Sequence, residues 1–290
     1  MIYSNKINKK IIELRERYHN ILPGKESLIK LISEIEVSEH VYNSNAIENS
    51  TLTLEETEKI LMQIEIDRYI NEREIYEAKN LARVVEYIDI KAKDKTLDTE
   101  MILLLHKMLI SNIRDDIAGR FRKEGEWVKV GNHLGSDPKL VNAKISMVLS
   151  NYNSKHAIDI VKRITSLHLD FESIHPFVDG NGRIGRVINN YLLIREGFVP
   201  INIKFTDRQK YYNAFKEYNE ENKKGIMESM VATALMQSYY KRLAYMEGKD
   251  IVTLAEYSKK HKISHSNLIN KANRGTIEAF IDRGVWKIGM

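Results

Sequence analysis

The chain contains no cysteine among its 290 residues. A disulfide framework is therefore excluded, and so is any metal site built from thiolate ligands. Apolar residues make up 43% of the sequence, which is enough for a packed core, and the 29% of charged residues suits a water-exposed surface. At this length we expect one large domain and one small domain.

Long apolar runs are also missing. No segment approaches the roughly 20 consecutive apolar residues that a membrane-spanning helix needs. Residues 1–6 lead directly into a charged amphipathic stretch, without the apolar segment of a secretion signal. We therefore expect a cytoplasmic protein with no membrane partner.

The positive charge is concentrated near the C-terminal end. The formal net charge is +5, and residues 251–290 hold five Lys and two Arg against one Asp and two Glu. This segment thus carries +4 of the total, and the residues before it are nearly neutral as a group.

Through most of the chain, apolar residues recur at the three- and four-residue spacing of amphipathic helices. The capping box Thr53-Leu54-Glu55-Glu56 marks the start of one of them. The predicted fold class is mainly α. The expected helices lie near residues 7–18, 28–35, from 54 onward, 75–88, 98–109, 140–148, 158–174, 187–194, around 211–214 and 227–245.

Residues 119–137 break this helical pattern. Glu126-Trp127-Val128-Lys129-Val130 alternates in character, and Gly131-Asn132 is a turn signal. We predict a short β-hairpin here, which by itself is typical of a structural loop.

The most informative segment is residues 175–186, His-Pro-Phe-Val-Asp-Gly-Asn-Gly-Arg-Ile-Gly-Arg. Pro176 favours the end of a helix just before it, so His175 is expected on a loop. The apolar periodicity that follows predicts a new helix, and a helix N-terminus binds phosphate. The backbone N–H groups of Gly180, Asn181 and Gly182 can surround the anion.

Charged side chains supply the rest of the chemistry in this segment. Arg183 and Arg186 lie three residues apart, on one helix face, where each can bind phosphate oxygens. A carboxylate beside phosphate suggests a divalent cation between them, so Asp179 is predicted to be a metal ligand. His175 is suited to taking a proton. Each feature alone is also typical of ordinary structure: a His before Pro, a Gly-Asn-Gly turn, an Arg pair on a solvated face.

The segment resembles the signature of the Fic/Doc family, His-x-Phe-x-Asp-Gly-Asn-Gly-Arg-x-x-Arg. It matches at every fixed position: His175, Phe177, Asp179, Gly180, Asn181, Gly182, Arg183 and Arg186. The resemblance implies a helical bundle and an adenylyltransferase that moves AMP from ATP, with Mg²⁺ or Mn²⁺, to a Tyr, Thr or Ser hydroxyl of a target protein and of itself. The kinase branch of the family carries Lys at the position of Gly182.

A second motif, Ser44-Asn45-Ala46-Ile47-Glu48-Asn49, is by itself a helix end with Asn49 as its stop. It also resembles the family's inhibitory helix, Ser/Thr-x-x-x-Glu-Gly/Asn, through Ser44, Glu48 and Asn49. The resemblance implies that Glu48 binds Arg186 and denies that guanidinium to the γ-phosphate of ATP.

Two weaker resemblances concern substrate contacts. The predicted hairpin is similar to the family's flap, so Val128 and Val130 would face a target backbone that is added as a strand. Tyr211 and Tyr212 lie near where relatives place aromatic residues against adenine. The same spacing is typical of a helix core.

Residues 251–290 predict a helix, a turn, a second helix and two strands near 277–280 and 285–288. With its positive charge, this module resembles the winged helix-turn-helix of excisionase-type DNA binders. The resemblance implies phosphate contacts from Arg283 or Lys287. Its second helix would present Ser266, Asn267, Asn270 and Lys271 to DNA. Such modules also dock proteins or form dimers, so a homodimer is a further candidate.

These observations divide the chain into three parts. A helical region at 1–95 carries the inhibitory helix at about 38–49 and precedes the Fic core domain at 96–248, and the small winged-helix-like module follows at 249–290. Alternative functions are removal of AMP, with Glu48 aligning water, use of another nucleotide diphosphate donor, and a DNA-binding regulator whose core only senses nucleotide.

Overall fold

The computed structural model describes residues 1–131, 133–154 and 159–290, and its architecture is mainly helical, as predicted. Asn132 of the predicted turn and Ile158 of the predicted helix start lie outside these described residues. Twelve α-helices are present in the described ranges. Their bounds are α1 Asn5–Ile21, α2 Glu26–Ile47, α3 Leu54–Leu61, α4 Glu72–Lys91, α5 Thr99–Ile110, α6 Val141–Ser154, α7 Ile160–Ile174, α8 Asn181–Arg195, α9 Arg208–Glu221, α10 Gly225–Met246, α11 Leu254–His261 and α12 His265–Asn273.

Strands are few and short. The predicted hairpin is confirmed as an antiparallel pair of β1, Lys129–Val130, and β2, His133–Leu134. A second antiparallel sheet has the order β3-β5-β4, with β3 Ile251–Thr253, β4 Ala279–Asp282 and β5 Val285–Gly289. Within the described parts of the chain, no helix combines the length and apolar character needed to cross a membrane.

Local sequence explains several helix starts. The predicted capping box is confirmed at α3: the Thr53 side chain accepts from the N–H of Glu56 at 3.2 Å. In return, the Glu56 carboxylate accepts from the N–H of Thr53 at 2.8 Å. These two bonds satisfy donors that a helix start leaves without partners.

The chain forms two compact units. The larger comprises residues 37–198 and 203–227, and the smaller comprises residues 1–36, 199–202 and 228–290. This division differs from the predicted domains, since the N-terminal 36 residues and most of α10 group with the C-terminal module. One reason is the buried Lys241 of α10, whose ammonium lies 2.6 Å from the Asp282 carboxylate of β4.

The core of the larger unit is built around α8. Nearly every residue of this helix is buried, including its polar residues Asn189 and Asn190. It packs against α7, α4 and α5. A helix that is buried on all sides is held in a fixed position by its neighbours, so the N-terminus of α8 has a well-defined place in the unit.

The C-terminal module follows the predicted order of helix, turn, helix and two strands. Its core joins both helices to the sheet through Leu254, Leu268, Ala272, Ala279 and Ile288. The sequence did not predict β3, which pairs with β5 directly before α11 begins. The β4–β5 turn uses Arg283 and Gly284 at positive φ, as a two-residue hairpin turn requires.

Candidate active site

His175 occupies a strained backbone position just after α7. The helix ends at Ile174, and His175 adopts a left-handed conformation with φ of 52°. The chain reverses there because Pro176 disfavours a further helical residue before it. A non-glycine residue at positive φ is uncommon and is often found at functional sites. The predicted loop position of His175 is confirmed.

The side chain of Arg122 holds this loop in place. Its buried guanidinium donates to the carbonyl of His175 at 2.8 Å, to that of Glu126 at 2.8 Å and to that of Ser136 at 2.6 Å. The first contact fixes the histidine loop, and the other two fix both ends of the hairpin segment. This role of Arg122 was not predicted, because its acceptors are backbone carbonyls, which no pattern of side chains in the sequence reveals.

His106 supports the same loop from α5. Its ring stacks on Phe177 with 3.7 Å between ring centroids. The Gly119 N–H lies 3.0 Å from Nδ1, so Nδ1 accepts and the proton is on Nε2, which donates to the Asp179 carbonyl at 3.0 Å. Burial lowers the pKa of His106 to about 4, so the ring is neutral. No role was predicted for a side chain of this helix. The sequence does place the imidazole of His106 next to Leu105, on the apolar face of this helix. A titratable side chain on a buried face could have indicated a role for it.

Two hydrogen bonds between Asn181 and Phe177 hold the loop 177–181 closed. The Asn181 side chain accepts from the Phe177 N–H at 2.8 Å and donates to the Phe177 carbonyl at 2.9 Å. Gly180 precedes it with φ of 84°, and α8 begins at Asn181. The side chain of Asn181 is thus used within the loop. Only its backbone N–H remains for the predicted contact with phosphate.

Glu48 lies against the start of α8. A Cβ atom added to Gly182 would lie 2.2 Å from Glu48 Oε1, so a side chain at position 182 would have to displace this carboxylate. Glu48 also accepts from Arg186 Nη2 at 2.9 Å. The predicted contact between Glu48 and Arg186 is present, through one guanidinium nitrogen. A carboxylate therefore occupies the place where a helix N-terminus favours an anion.

Other acceptors complete the surroundings of the buried Arg186. Ser44 accepts twice, with its Oγ from Nε at 2.9 Å and with its carbonyl from Nη2 at 2.8 Å. The hydroxyl of Tyr211 lies 3.3 Å from Nη1. Ser44 and Glu48 are one helical turn apart near the end of α2, so one face of that helix end binds the guanidinium.

Asn49 follows the end of α2 with φ of 72°. Asparagine and glycine adopt this left-handed conformation at little cost, which explains why these two residues suit the position. The Asn49 side chain also accepts a hydrogen bond from Arg208.

Asp179 belongs to a ring of four charged side chains. Its carboxylate binds Arg73 Nη2 at 2.6 Å and Arg183 Nη2 at 3.2 Å. Glu77 lies between the same two arginines, 3.1 Å from Arg73 Nε and 3.0 Å from Arg183 Nη1. Burial alone would raise the pKa of Asp179, but Arg183 and Arg73 outweigh it and the pKa lies below its usual value. Sequence analysis did not identify Arg73 or Glu77.

The possible ligands near Asp179 decide whether a metal ion fits there. Across residues 1–131, 133–154 and 159–290, no group of three or more His, Asp or Glu side chains is placed to hold an ion. Mg²⁺ is commonly bound by one or two carboxylates, with substrate phosphates and waters as its other ligands. The single carboxylate of Asp179 fits that arrangement only when phosphates are present.

Burial keeps three ionisable side chains of this region neutral, those of His175, His168 and Glu172. It lowers the pKa of His175 to about 4 and that of His168 to about 3, and it raises the pKa of Glu172 to about 8. His175 Nδ1 lies 3.3 Å from the Glu172 carbonyl, which can only accept, so Nδ1 carries the proton. The lone pair is then on Nε2, the form that a general base requires.

The two predicted adenine contacts have different environments. Tyr211 is only 2% exposed, and its hydroxyl lies 2.8 Å from His168 Nε2. The Tyr211 ring packs in the interior, in agreement with the alternative of a helix core, and its contact with adenine stays a prediction. Tyr212 is 39% exposed, and its hydroxyl donates to the Ile47 carbonyl at 2.8 Å.

The hairpin lies beside His175. A Cβ atom on Gly135 would be 3.3 Å from the Cβ of His175 and 3.0 Å from a methyl group of Val128. Val128 precedes β1 and extends the pairing, because its carbonyl accepts from the Gly135 N–H at 3.0 Å. Val130 lies in β1. Both valines are partly exposed.

In the smaller unit, the candidate DNA contacts share one helix. Ser266, Asn267, Asn270 and Lys271 are all exposed on α12. Of the predicted phosphate contacts, Lys287 instead lies 2.6 Å from the Asp282 carboxylate.

The larger unit therefore defines a class: a helical domain in which a buried helix start lies beside a neutral histidine, and a carboxylate of the same chain binds the arginine of that helix. Comparison with known proteins makes the identification specific, because residues 96–193 match the Fic/DOC family. The chain carries a Fic/DOC family domain. The match begins where the predicted core begins and ends within α8.

Relatives cover different shares of this chain. A protein adenylyltransferase Fic of Nematostella vectensis is 30% identical over 219 residues, which is 72% of this chain and 49% of the relative. One from Drosophila melanogaster is 33% identical over 196 residues, which is 63% of this chain and 37% of the relative. The chain thus spans half or less of these curated relatives.

Among solved structures, a Fic-domain signaling protein from Bacteroides thetaiotaomicron has a TM-score of 0.74 at 24% identity. The similarity covers 83% of this chain and 97% of that protein. At this identity, the similarity establishes the helical fold.

The neutral groups around His175 predict how stability depends on pH. Unfolding lets His106, His168 and His175 take protons below about pH 6.5, so the free energy of unfolding should fall as the pH drops toward 4. Unfolding also lets Glu172 ionise between about pH 4.5 and 8, so this group lowers stability as the pH rises. Among these four groups, the three histidines dominate below pH 6.5 and only Glu172 acts above it.

We expect the melting temperature to be highest near pH 6.5. Above that pH the free energy of unfolding should decline by up to ~1.4 kcal/mol per pH unit, and Glu172→Gln should remove this decline. Glu55→Gln, at an exposed position, serves as the control. Calorimetry of the three proteins from pH 5 to 8 measures the effect. A wild-type melting temperature that stays constant from pH 6.5 to 8 would contradict it.

Proposed function

We propose that this protein is a protein adenylyltransferase. It transfers AMP from ATP to a Tyr, Thr or Ser hydroxyl of a target protein and of itself. The observation that carries the proposal is the placement, within residues 175–186, of a histidine with a free Nε2 lone pair next to a helix start and a buried arginine. The names of the relatives and the family match support it.

Residues 180–186 would hold the triphosphate. The backbone N–H groups of Gly180, Asn181 and Gly182 bind phosphate oxygens at the start of α8. Arg183 and Arg186 would neutralise the β- and γ-phosphates, Arg186 once Glu48 releases it. Asp179 would hold Mg²⁺ or Mn²⁺, which neutralises charge on the α- and β-phosphates.

His175 would act as the general base. Its Nε2 takes the proton of the target hydroxyl while that oxygen bonds to the α-phosphorus of ATP. The bond from the α-phosphorus to the bridging oxygen breaks, and pyrophosphate leaves. Catalysis of such a transfer depends mainly on positioning and charge stabilisation, so a fixed loop and helix start matter more than covalent chemistry.

The hairpin would position the target. A segment of the target protein pairs with the backbone beside Val128 and Val130 as an added strand, which brings its hydroxyl near His175. This arrangement is supported by the closeness of Gly135 to the Cβ of His175. Tyr212, the more exposed of the two predicted tyrosines, is the preferred candidate for contact with the adenine ring.

His175→Ala should abolish transfer while leaving the fold intact. Loss of a general base lowers the rate by roughly 100-fold or more. Incubation with ATP labelled at the α-phosphate and Mg²⁺, followed by gel autoradiography, measures transfer to the protein itself, and the melting temperature checks the fold. Retained labelling in a folded variant would exclude His175 as the base.

Glu48→Gly should increase self-modification by about tenfold or more, because removing a charge-assisted contact frees Arg186 for the γ-phosphate. Position 48 follows the end of α2, so glycine there interrupts no helix interior. Glu48→Gln keeps the size of the side chain and removes its charge. Its rate of self-modification should lie between the rates of Glu48→Gly and the wild type.

Parallel reactions with ATP labelled at the γ-phosphate identify the transferred group. Label from the α position only is the expected result. Label from the γ position would indicate a kinase. No label from either, in both wild type and Glu48→Gly, would contradict AMP transfer and favour removal of AMP or another donor.

We propose DNA as a second partner, bound through residues 249–290. The supporting observation is that four polar or basic side chains are exposed on α12 of a module with net charge +4. A helix that enters the major groove reads bases with such residues, and lysines bind the phosphates.

Lys271→Gln should weaken binding to duplex DNA by several fold at low salt, because one phosphate contact is lost. Lys30→Gln, which removes an exposed lysine from α2, is the control for net charge. Gel-shift titrations of the full chain measure both variants. Equal affinity of the two variants would argue against α12 as the contact surface.

A further inference from the structure

Arg73 lies where a cation is needed in the proposed reaction. It is in the first turn of α4, and the side chain of Asn71 fixes the helix start by accepting from the Arg73 N–H at 2.9 Å. The Arg73 guanidinium donates to Asp179 Oδ2 at 2.6 Å and to Glu77 at 3.1 Å. Asp179, the proposed metal ligand, is therefore neutralised by a residue far from it in the sequence.

The two arginines on Asp179 differ in their freedom to move. The Arg183 side chain is 4% exposed, while the Arg73 side chain is 49% exposed. Releasing Arg73 lets a half-exposed guanidinium return to water, which costs little. Releasing Arg183 would leave a buried charge without part of its compensation, which costs much more.

A divalent ion and Arg73 compete for the same oxygen. A metal ion bound to Asp179 Oδ2 would lie about 2 Å from it, and the Arg73 nitrogen lies 2.6 Å from the same atom. Two cations that close repel each other strongly, especially in a partly buried site. Repulsion between the two cations thus favours the departure of Arg73 when a metal ion binds to Oδ2.

We propose that Arg73 is a built-in competitor of the divalent cation: it occupies the Asp179 carboxylate and is displaced when the metal arrives with nucleotide. The proposal rests on the proposed function, because Asp179 alone offers too few ligands and the phosphates must supply the rest. Glu77 remains between Arg73 and Arg183 and gives the displaced guanidinium a second anion to contact.

The test measures metal binding, without turnover. All proteins carry Glu48→Gly, which opens the phosphate position. Each titration is made in the presence of an ATP analogue with a methylene bridge between the α- and β-phosphates, so that no AMP can be transferred. Free Mn²⁺ is followed by electron paramagnetic resonance during titration. The Mn²⁺ concentration at half-saturation should fall about fivefold with Arg73→Gln, and less with Arg73→Lys, which keeps a charge.

A matched control removes a different arginine. Arg68 is 45% exposed and pairs with Glu56 near the start of α3, so Arg68→Gln takes away the same charge and a similar ion pair. It should leave the Mn²⁺ midpoint unchanged, and Asp179→Asn should abolish nucleotide-dependent Mn²⁺ binding. Melting temperatures confirm that each variant is folded.

The outcomes separate the two proposals. An unchanged midpoint with Arg73→Gln would overturn the competition, and so would a higher midpoint, which would mean that Arg73 helps to bind the nucleotide. If neither the Glu48→Gly protein nor its Arg73→Gln variant binds Mn²⁺ in the presence of the analogue, the proposed function itself fails.

Discussion

The guanidinium of Arg186 carries a charge that cannot be removed by deprotonation, and it lies in the interior of the larger unit. Such a group must be given acceptors, because a buried charge without them would be strongly destabilising. In the structure they come from Ser44, Glu48 and Tyr211. The end of α2 is therefore part of what allows α8 to hold an arginine beside its start.

The same logic describes the site as a whole. In the proposed reaction it would take an anion and a cation, and the chain places a group of the same charge at each position. The carboxylate of Glu48 lies at the start of α8, where the phosphates would bind, and the guanidinium of Arg73 lies on Asp179, the proposed metal ligand. Neither group belongs to α8, since Glu48 directly follows α2 and Arg73 lies in α4, and both have more exposed side chains than the residues they bind. The site is thus electrostatically balanced by groups that can be withdrawn.

The sequence predictions are accurate where the interacting residues are close together in the sequence, and less accurate where they are far apart. The segment 175–186 is contiguous, so its loop and helix start could be inferred from local rules. Glu48 and Arg186 are 138 residues apart, and only the family resemblance connected them. His106, Arg122 and Arg73 had no local signature. Their roles arise from contacts with backbone atoms and side chains that folding brings together.

Two further differences have physical causes. Tyr211 and Tyr212 are neighbours on α9, yet one is buried and the other partly exposed, because adjacent positions on a helix face different directions. The sequence alone did not indicate which of the two tyrosines is buried. Strand β3 is three residues long and pairs with β5, more than 30 residues later in the sequence. Such a strand has no recognisable pattern in the local sequence.

The hydrogen bonds of Arg122 set limits on how the hairpin can be exchanged between proteins. The guanidinium binds carbonyls of Glu126 and Ser136, and backbone carbonyls are available whatever the side chain. Gly135, in contrast, has no space for a larger residue without pressing on His175 or Val128. A loop graft intended to give the proposed enzyme a new target could therefore replace residues 127–134 and would have to keep Arg122 and Gly135. In the proposed reaction, target recognition would then lie in an exchangeable segment, and the proposed base, His175, would be anchored outside it.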